Sequence, residues 1–211
     1  MKKLTLNFFD KYGFYLSVIL IWILVFHNNL YDAYFYDDYG QILDNENLQN
    51  IKNFQCVIFC GMRQIRLFQN ITFAIDFFFT GINPFSFHVT NNLIHLCNTF
   101  LLFSFLKKIK GIPFFVAALS TLIYLVHPLQ VDSVTYIMGR TTLLQNLSIF
   151  LVLNETAKGE NRSRLKIFFS LIFSYLVKEN CTLIPFLVLL FDYYLQPQLF
   201  TLKTLKKEYV F

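Results

Sequence analysis

Long apolar runs separated by short polar segments dominate the hydrophobic pattern along the chain. The runs are continuous rather than alternating, which favours helices over the strands of a membrane barrel. Three of the runs approach the length of about 20 residues that a transmembrane helix needs, and three more are shorter. The six predicted spans cover residues 14–30, 87–105, 113–126, 142–153, 165–177 and 182–195. The last three would need a thin bilayer or polar surroundings, and a count of four spans is the alternative.

A long polar segment, residues 31–87, separates the first two predicted spans and is rich in Asp, Asn and Gln. Within it, residues 65–80 are apolar but are interrupted by Gln69, Asn70 and Asp76. This pattern predicts a helix that lies at the membrane interface rather than a further span. No tandem repeat or soluble domain is indicated, so residues 1–211 are predicted to form a single transmembrane domain.

The composition excludes an ordinary soluble domain. Hydrophobic residues make up 55% of the chain and charged residues only 15%, whereas a soluble domain typically has about 25% charged residues. A globule of 211 residues cannot hide so much apolar surface. Because helices satisfy their backbone hydrogen bonds within lipid, we expect an all-α, polytopic integral membrane protein.

The basic residues indicate an orientation in the membrane. If the N-terminus is cytosolic, 13 of the 18 Lys and Arg residues fall on the cytosolic side, as the positive-inside rule predicts. We therefore expect the basic residues behind the net charge of +5 to contact the bilayer and not nucleic acid. The first run continues to Leu30 without a small-residue cleavage site, which indicates a retained anchor rather than a cleaved signal peptide. The five basic residues expected on the opposite side are Lys52, Arg63, Arg66, Arg140 and Lys178.

The same topology gathers polar side chains on the side opposite the basic loops. Charged groups at membrane depth cost roughly 2.5–3.5 kcal/mol each unless they are paired or hydrated, so such a gathering is informative. Carboxylates beside Arg, Lys and His suit chemistry on an anionic, phosphate-bearing ligand. The four cysteines form no metal pattern, and neither a metal nor another cofactor is expected. The polar set comprises Asp37, Asp38, Asp44, Arg63, Arg66, His88, Asn91, His127, Asp132, Arg140, Lys178 and Glu179.

Several of these residues also have structural interpretations that require no ligand. Asp37 and Asp38 suit a turn or a helix N-cap, and His88 suits hydrogen bonding between helices. His127–Pro128 suits a proline stop at the end of a helix. Lys178–Glu179 suits the membrane interface, where long charged side chains reach toward water.

Four stretches resemble one known family. They are residues 36–42 (YDDYGQI), 81–95 (GINPFSFHVTNNLIH), 127–140 (HPLQVDSVTYIMGR) and 178–179 (KE). In this order and spacing they resemble the transmembrane-and-tetratricopeptide-repeat (TMTC-type) protein O-mannosyltransferases, over residues 30–195. That family has the GT-C fold, which it shares with other dolichol-dependent transferases. The second and third stretches are specific, whereas the first alone is weak.

The resemblance implies a reaction and a location. The donor is dolichyl phosphate mannose, the acceptor is a Ser or Thr hydroxyl of a luminal or secretory protein, and the site faces the lumen of the endoplasmic reticulum. Asp37 or Asp38 is the implied general base, which a hydroxyl nucleophile needs. Arg140 is the first candidate for stabilising the leaving phosphate, with His127 positioning the phosphate or the acceptor. The implied substrate-binding residues are Arg140, His127, Lys178, Glu179, His88, Asn91 and Arg66.

The chain departs from that family in its extent. Family members carry more transmembrane helices and a C-terminal array of tetratricopeptide repeats, and a repeat of about 34 residues is not expected after residue 196. A partial or truncated transferase is therefore the leading hypothesis. The alternatives are an inactive assembly partner or pseudoenzyme and, less favoured, a transporter, whose charges would lie deeper within the spans.

Overall fold

The computed structural model describes the backbone of residues 2–45 and 66–195. It describes the side chains of residues 12–45 and 66–194 apart from that of Glu179. Every regular element in these ranges is a helix or a helical turn, which confirms the predicted all-α class. Lys52 and Arg63, two of the basic residues expected opposite the basic loops, lie outside the described residues.

Eight α-helices lie in the described part of the chain. They are α1 (Lys2–Phe26), α2 (Leu67–Thr80), α3 (Phe85–Leu106), α4 (Phe114–Val126), α5 (Pro128–Thr135), α6 (Arg140–Thr156), α7 (Arg164–Val177) and α8 (Ile184–Leu195). Short 3₁₀ segments cover Asn28–Tyr31, Ile137–Gly139, Gly159–Asn161 and Glu179–Leu183, and a π-helical turn covers Tyr39–Leu43. Each of the six predicted spans and the predicted interfacial helix corresponds to one of these helices.

Helix α5 lies where the sequence predicted only a polar connection. His127–Pro128 ends α4 as predicted, but it also begins α5. Pro128 occupies the first helical position, where its missing N–H needs no partner. The Nδ1 atom of His127 accepts a hydrogen bond from the Leu129 amide at 3.2 Å and so caps the new helix. The chain bends by 53° between α4 and α5.

Contacts between aromatic and polar side chains align one set of helix ends. The Phe14 ring, at the middle of α1, lies 4.1 Å from the Phe103 ring near the end of α3. It lies 6.0 Å from the Phe114 ring at the start of α4. The Lys108 ammonium, just after α3, donates to the Asn154 side chain near the end of α6. We call this the basic end, because the exposed Lys107, Lys108, Lys110 and Lys158 lie on its connections and the exposed Lys166 lies in the first turn of α7.

A second set of contacts forms the opposite end of the helices. The Phe26 ring at the end of α1 packs against His95 with ring centroids 5.3 Å apart. His95 Nε2 lies 3.0 Å from the carbonyl oxygen of Leu125 near the end of α4. Arg140, the first residue of α6, donates to the Phe87 carbonyl in the first turn of α3. Sequential helices α3, α4 and α6 therefore alternate in direction, as a chain that crosses repeatedly would.

The predicted number of spans is not confirmed by helix length. Among the described residues, only α3 is both long and apolar enough to cross a bilayer by itself. The bent pair α4 and α5 would be a second crossing if its two parts acted together. Residues Tyr12–Phe26 and Asn180–Tyr194 form shorter apolar helices. The six-span topology stays a prediction.

The outer face of the helices is strongly apolar. Leu24, Phe115 and Leu165 are each at least 70% exposed, although they lie in three different helices. Many exposed apolar side chains, spread over several helices, are typical of contact with lipid or with another chain.

A small hydrophobic cluster supports the polar segment that follows α1. Ile42, Phe73, Ala74, Phe87 and Ile137 are all buried together. They come from the π-helical turn, α2, α3 and the Ile137–Gly139 turn. Because burying a large apolar side chain stabilises by roughly 1.5–3 kcal/mol, this cluster fixes the segment against the start of α3.

Candidate active site

The two adjacent acids occupy opposite environments just after an unusual backbone position. Asp38 is fully buried, whereas Asp37 is exposed. Tyr36, immediately before them, has φ of 49°, in the left-handed region that bulky residues rarely adopt. Such strained positions concentrate at functional sites.

Asp38 joins two segments that are distant in sequence. Its Oδ2 atom accepts a hydrogen bond from the Phe35 amide at 3.0 Å. Its Oδ1 atom accepts one from the Met138 amide at 3.1 Å, across 100 residues of chain. Burial raises the pKa of the Asp38 carboxyl, although the two amide donors act in the opposite direction. Asp38 therefore holds the acid segment against the turn that precedes α6.

Asp37 lines an open pocket with a volume of about 680 Å³. Asp132 and Tyr136 form the facing wall, and the Phe35 and Tyr136 rings meet edge to face with centroids 6.3 Å apart. Burial and the neighbouring Asp37 charge raise the pKa of Tyr136 to about 12, so its hydroxyl stays protonated. Carboxylates set among aromatic rings suit a sugar or a hydroxyl-bearing ligand. The remaining lining residues in the described part of the chain are Asp32, Ala33, Tyr34, Tyr36 and Thr135.

Arg140 lies outside the described pocket lining and is completely buried. Its Nη1 atom lies 2.6 Å from a carboxylate oxygen of Asp76. Its Nε atom donates to Asn91 Oδ1 at 2.7 Å, and Nη2 donates to the Phe87 carbonyl at 2.8 Å. The guanidinium also lies over the Phe73 ring, 4.4 Å from its centroid. Its three nitrogen atoms thus face protein groups and not the pocket.

Asp76 is a buried charged residue that the sequence-based site did not include. It lies in α2, pairs with Arg140, and accepts a hydrogen bond from the Thr90 hydroxyl at 2.6 Å. Burial raises the pKa of Asp76, and the Arg140 charge opposes that shift. The available signal was a single carboxylate inside an otherwise apolar helix, because such a residue needs a charged partner.

Asn91 and His88 position the pocket walls from the start of α3. The Asn91 amide nitrogen lies 3.2–3.4 Å from the carbonyl oxygens of Val134, Tyr136 and Ile137. The Nε2 atom of buried His88 lies 3.1 Å from the carbonyl oxygen of Asp32. Both side chains therefore act on backbone that borders the pocket.

The other four predicted substrate-binding residues lie at helix ends, and none of them belongs to the lining set above. His127 is exposed and caps α5. Arg66 is half-buried and directly precedes α2, and Lys178 is half-buried and directly follows α7. Glu179 begins a 3₁₀ segment, but its side chain is outside the described set. Hydrogen bonds thus link Asp38, Arg140, His88 and Asn91 to the segments that carry the pocket, whereas these four lie at helix ends outside the described lining.

The pocket acids do not form a recognisable metal centre. Within residues 12–45 and 66–194, no three His, Cys, Asp or Glu side chains are arranged to hold a metal ion.

Part of the chain is similar to protein O-mannosyl-transferases. It is 34% identical over 85 residues to Protein O-mannosyl-transferase TMTC1 of Homo sapiens. That alignment covers 38% of this chain and 9% of the human protein. It is 25% identical over 135 residues to Protein O-mannosyl-transferase TMTC3 of Homo sapiens. That alignment covers 57% of this chain and 14% of the human protein. The TMTC1 protein of Mus musculus is 33% identical over 85 residues.

These alignments are local, and they span 9–14% of the length of the relatives. No protein-family model matches the chain, and no solved structure matches it. The resemblance seen in the motifs is thus supported for part of the chain, at the level of similarity to glycosyltransferases.

Proposed function

We propose that this chain carries the membrane-embedded catalytic part of a TMTC-type protein O-mannosyltransferase with a GT-C fold. The proposed donor is dolichyl phosphate mannose, and the proposed acceptor is a Ser or Thr hydroxyl of a luminal or secretory protein at the endoplasmic reticulum membrane. The observation that carries the proposal is the exposed carboxylate of Asp37 in an aromatic pocket, next to a second acid that is fixed by two amides. The local similarity to named mannosyl-transferases supplies the reaction class.

In this mechanism the acceptor oxygen attacks the anomeric carbon of mannose. The bond from that carbon to the phosphate oxygen breaks, and dolichyl phosphate leaves with the bonding electrons. Asp37 takes the hydroxyl proton, because it is the acid of the pair that faces the pocket. Displacement from the opposite face of the sugar inverts the anomeric configuration. General base catalysis of this kind contributes typically 10²–10⁴-fold to the rate.

Asp38 and Arg140 act as positioning residues in this proposal. Asp38 holds the Asp37 segment against Met138. Arg140 holds Asn91, and Asn91 in turn holds the carbonyls behind Tyr136. Their roles depend on rigid placement, which a transferase needs because small misplacements of a base lower the rate steeply.

The leaving phosphate requires a positive group from elsewhere. Arg66 and Lys178 are the proposed sources, and His127 and Glu179 complete the proposed substrate contacts at the helix ends. His88 and Asn91 are proposed to act through the pocket backbone rather than on the substrate itself.

An inactive assembly partner is the second candidate function. It is favoured by the buried Arg140–Asp76 pair, which leaves the described pocket lining without a basic side chain. Such a protein would keep the pocket but transfer no sugar.

A transfer assay separates the two functions. Purified protein is incubated with a labelled mannosyl lipid donor and with a peptide that contains Ser and Thr. We expect Asp37→Asn to lower the rate by about 10²-fold or more. Asp44→Asn is the matched control, because Asp44 is an exposed acid of the same segment outside the pocket lining. Absence of transfer by the chain, and by longer proteins that contain it, would overturn the transferase proposal.

A further inference from the structure

The basic end concentrates positive charge directly after the helix that is best suited to span a bilayer. Lys107, Lys108 and Lys110 follow α3 immediately, and all three are exposed. Lys158 is exposed on the neighbouring connection between α6 and α7, and Lys166 is exposed in the first turn of α7. Residues 107–110 and 154–166, together with Asp192, hold seven basic and three acidic residues.

Two of the three acids at this end are already engaged by protein groups. Glu155 forms an ion pair with Lys158 and accepts a hydrogen bond from the Ser163 amide at 2.8 Å. Asp192, in α8, is fully buried and lies 2.6 Å from Arg162. These contacts tie α6, α7 and α8 together, and they leave the exposed lysines in excess at the surface.

Side-chain contacts anchor two of the lysines to neighbouring residues of α6. Lys108 Nζ donates to the Asn154 carbonyl and to the Asn154 side chain, at 3.1 and 2.6 Å. Lys158 forms an ion pair with Glu155, the residue that follows Asn154 in α6. Burial and the nearby Lys158 charge lower the pKa of Lys108. An anion placed between these ammonium groups would relieve their repulsion.

Exposed aromatic side chains lie beside this charge. The Lys107 ammonium lies 5.2 Å from the centroid of the Phe114 ring. Phe115 follows at the start of α4, and Phe168 and Phe169 are exposed in the second turn of α7, after Lys166. Lysines flanked by aromatic rings are typical of a surface that meets lipid headgroups.

We propose that the basic end binds the headgroups of anionic phospholipids, in the leaflet opposite the candidate active site. The ligand groups are the lipid phosphate and carboxylate, and the contacts come from Lys107, Lys110 and Lys166, with Lys108 and Lys158 behind them. This proposal does not depend on the proposed transferase activity.

The proposal is tested with the full chain reconstituted in nanodiscs made from a mixture of phosphatidylcholine and phosphatidylserine. Mass spectrometry measures the ratio of the two lipids retained after the protein is extracted with its bound lipid. We expect phosphatidylserine to be enriched around the wild-type protein. The triple variant Lys107→Gln/Lys110→Gln/Lys166→Gln should lose that enrichment by about tenfold or more, since each basic residue near an anionic surface contributes about fivefold.

Two controls keep the result specific. The charge-preserving variant Lys107→Arg/Lys110→Arg/Lys166→Arg should retain the enrichment, and helical content by circular dichroism should be equal in all three proteins. Inorganic phosphate added to the protein in neutral detergent should give a much smaller rise in melting temperature than phosphatidylserine at equal anion concentration. Equal retention of both lipids by the wild type, full retention by the Gln variant, or an equal effect of phosphate would each overturn the proposal.

Discussion

At the scale of single residues, the neighbouring side chains of Asp37 and Asp38 are chemically identical but lie in different environments. Asp37 faces the pocket, while Asp38 is buried and accepts hydrogen bonds from two backbone amides. The sequence could not separate them, because the residue that distinguishes them, Met138, lies 100 positions away.

The pH dependence of stability should report the buried state of Asp38. Because its pKa in the folded protein is raised above that of the unfolded chain, the folded protein binds the proton more tightly. The associated stabilisation is present at low pH and is lost as pH rises from about 4 through the raised pKa. We therefore expect the free energy of unfolding of the wild type, minus that of Asp38→Asn, to fall over this range.

Denaturant titrations in detergent at a series of pH values measure this difference. Asp44→Asn serves as the control for the simple loss of one carboxylate from the same segment. A difference that is flat or that rises with pH would contradict the prediction.

Gly139 should resist substitution because of its close contact with α5. A Cβ atom added there would lie 2.7 Å from the Ser133 carbonyl oxygen and 2.9 Å from that of Asp132. Backbone atoms cannot move aside as a flexible side chain can, so we expect Gly139→Ala to lower the free energy of unfolding by about 1–3 kcal/mol. Gly40→Ala is the matched control, because nothing lies within 4 Å of its added Cβ. Equal stability of the two variants in urea would show that the turn accommodates the methyl group.

At the scale of helices, the buried Arg140–Asp76 ion pair joins α6 to α2, and a hydrogen bond from Arg140 to Asn91 joins α6 to α3. Arg140 begins α6, Asp76 lies in α2, and Asn91 lies in α3. Since the charges are desolvated, each of them depends on the other for its stability in the folded state.

Removal of the Arg140 side chain alone should lower the free energy of unfolding more than removal of both charges of this pair. Arg140→Ala leaves the Asp76 carboxylate buried without its cation, which we expect to destabilise by on the order of 3–5 kcal/mol. Adding Asp76→Asn to that variant should restore part of the loss. A double-mutant cycle in chemical denaturation measures the coupling, and strictly additive effects would refute a direct dependence.

The sequence predicted the helices well where the signal was local. The predicted helices at residues 87–105 and 165–177 correspond to α3 and α7, and every boundary agrees within two residues. Helix α5 was missed because a proline that ends one helix can also begin the next. The importance of Asp76 was missed because its partner, Arg140, is far away in sequence and was assigned to the substrate instead.

At the scale of the whole molecule, charge is divided between two ends of the helices. Lysines dominate the basic end, and aspartates line the pocket at the other end. This separation matches the charge distribution expected for a protein whose N-terminus is cytosolic. The hydrophobic and charge patterns predicted helices that alternate in direction, and the contacts show that α3, α4 and α6 do so.

Glycosylation mapping tests the orientation. An acceptor tag inserted after residue 45 should be modified by the luminal glycosylation machinery, because the acid segment is expected on that side. A tag inserted between residues 158 and 162 should remain unmodified, because the basic end is expected in the cytosol. The reverse pattern would overturn the orientation.

The hydrogen bond from the Met138 amide to Asp38 also has a consequence for biogenesis. During synthesis at roughly 5–20 residues per second, the acid segment leaves the ribosome about 5–20 s before its partner, since 100 residues separate them. Until then one oxygen of Asp38 lacks its amide donor, and the pocket lacks its Asp132–Tyr136 wall. The site is therefore completed late, after α3 and α4 have been made. Until then the segment that carries Asp37 and Asp38 lacks its contacts with the Asp132–Met138 part of the chain.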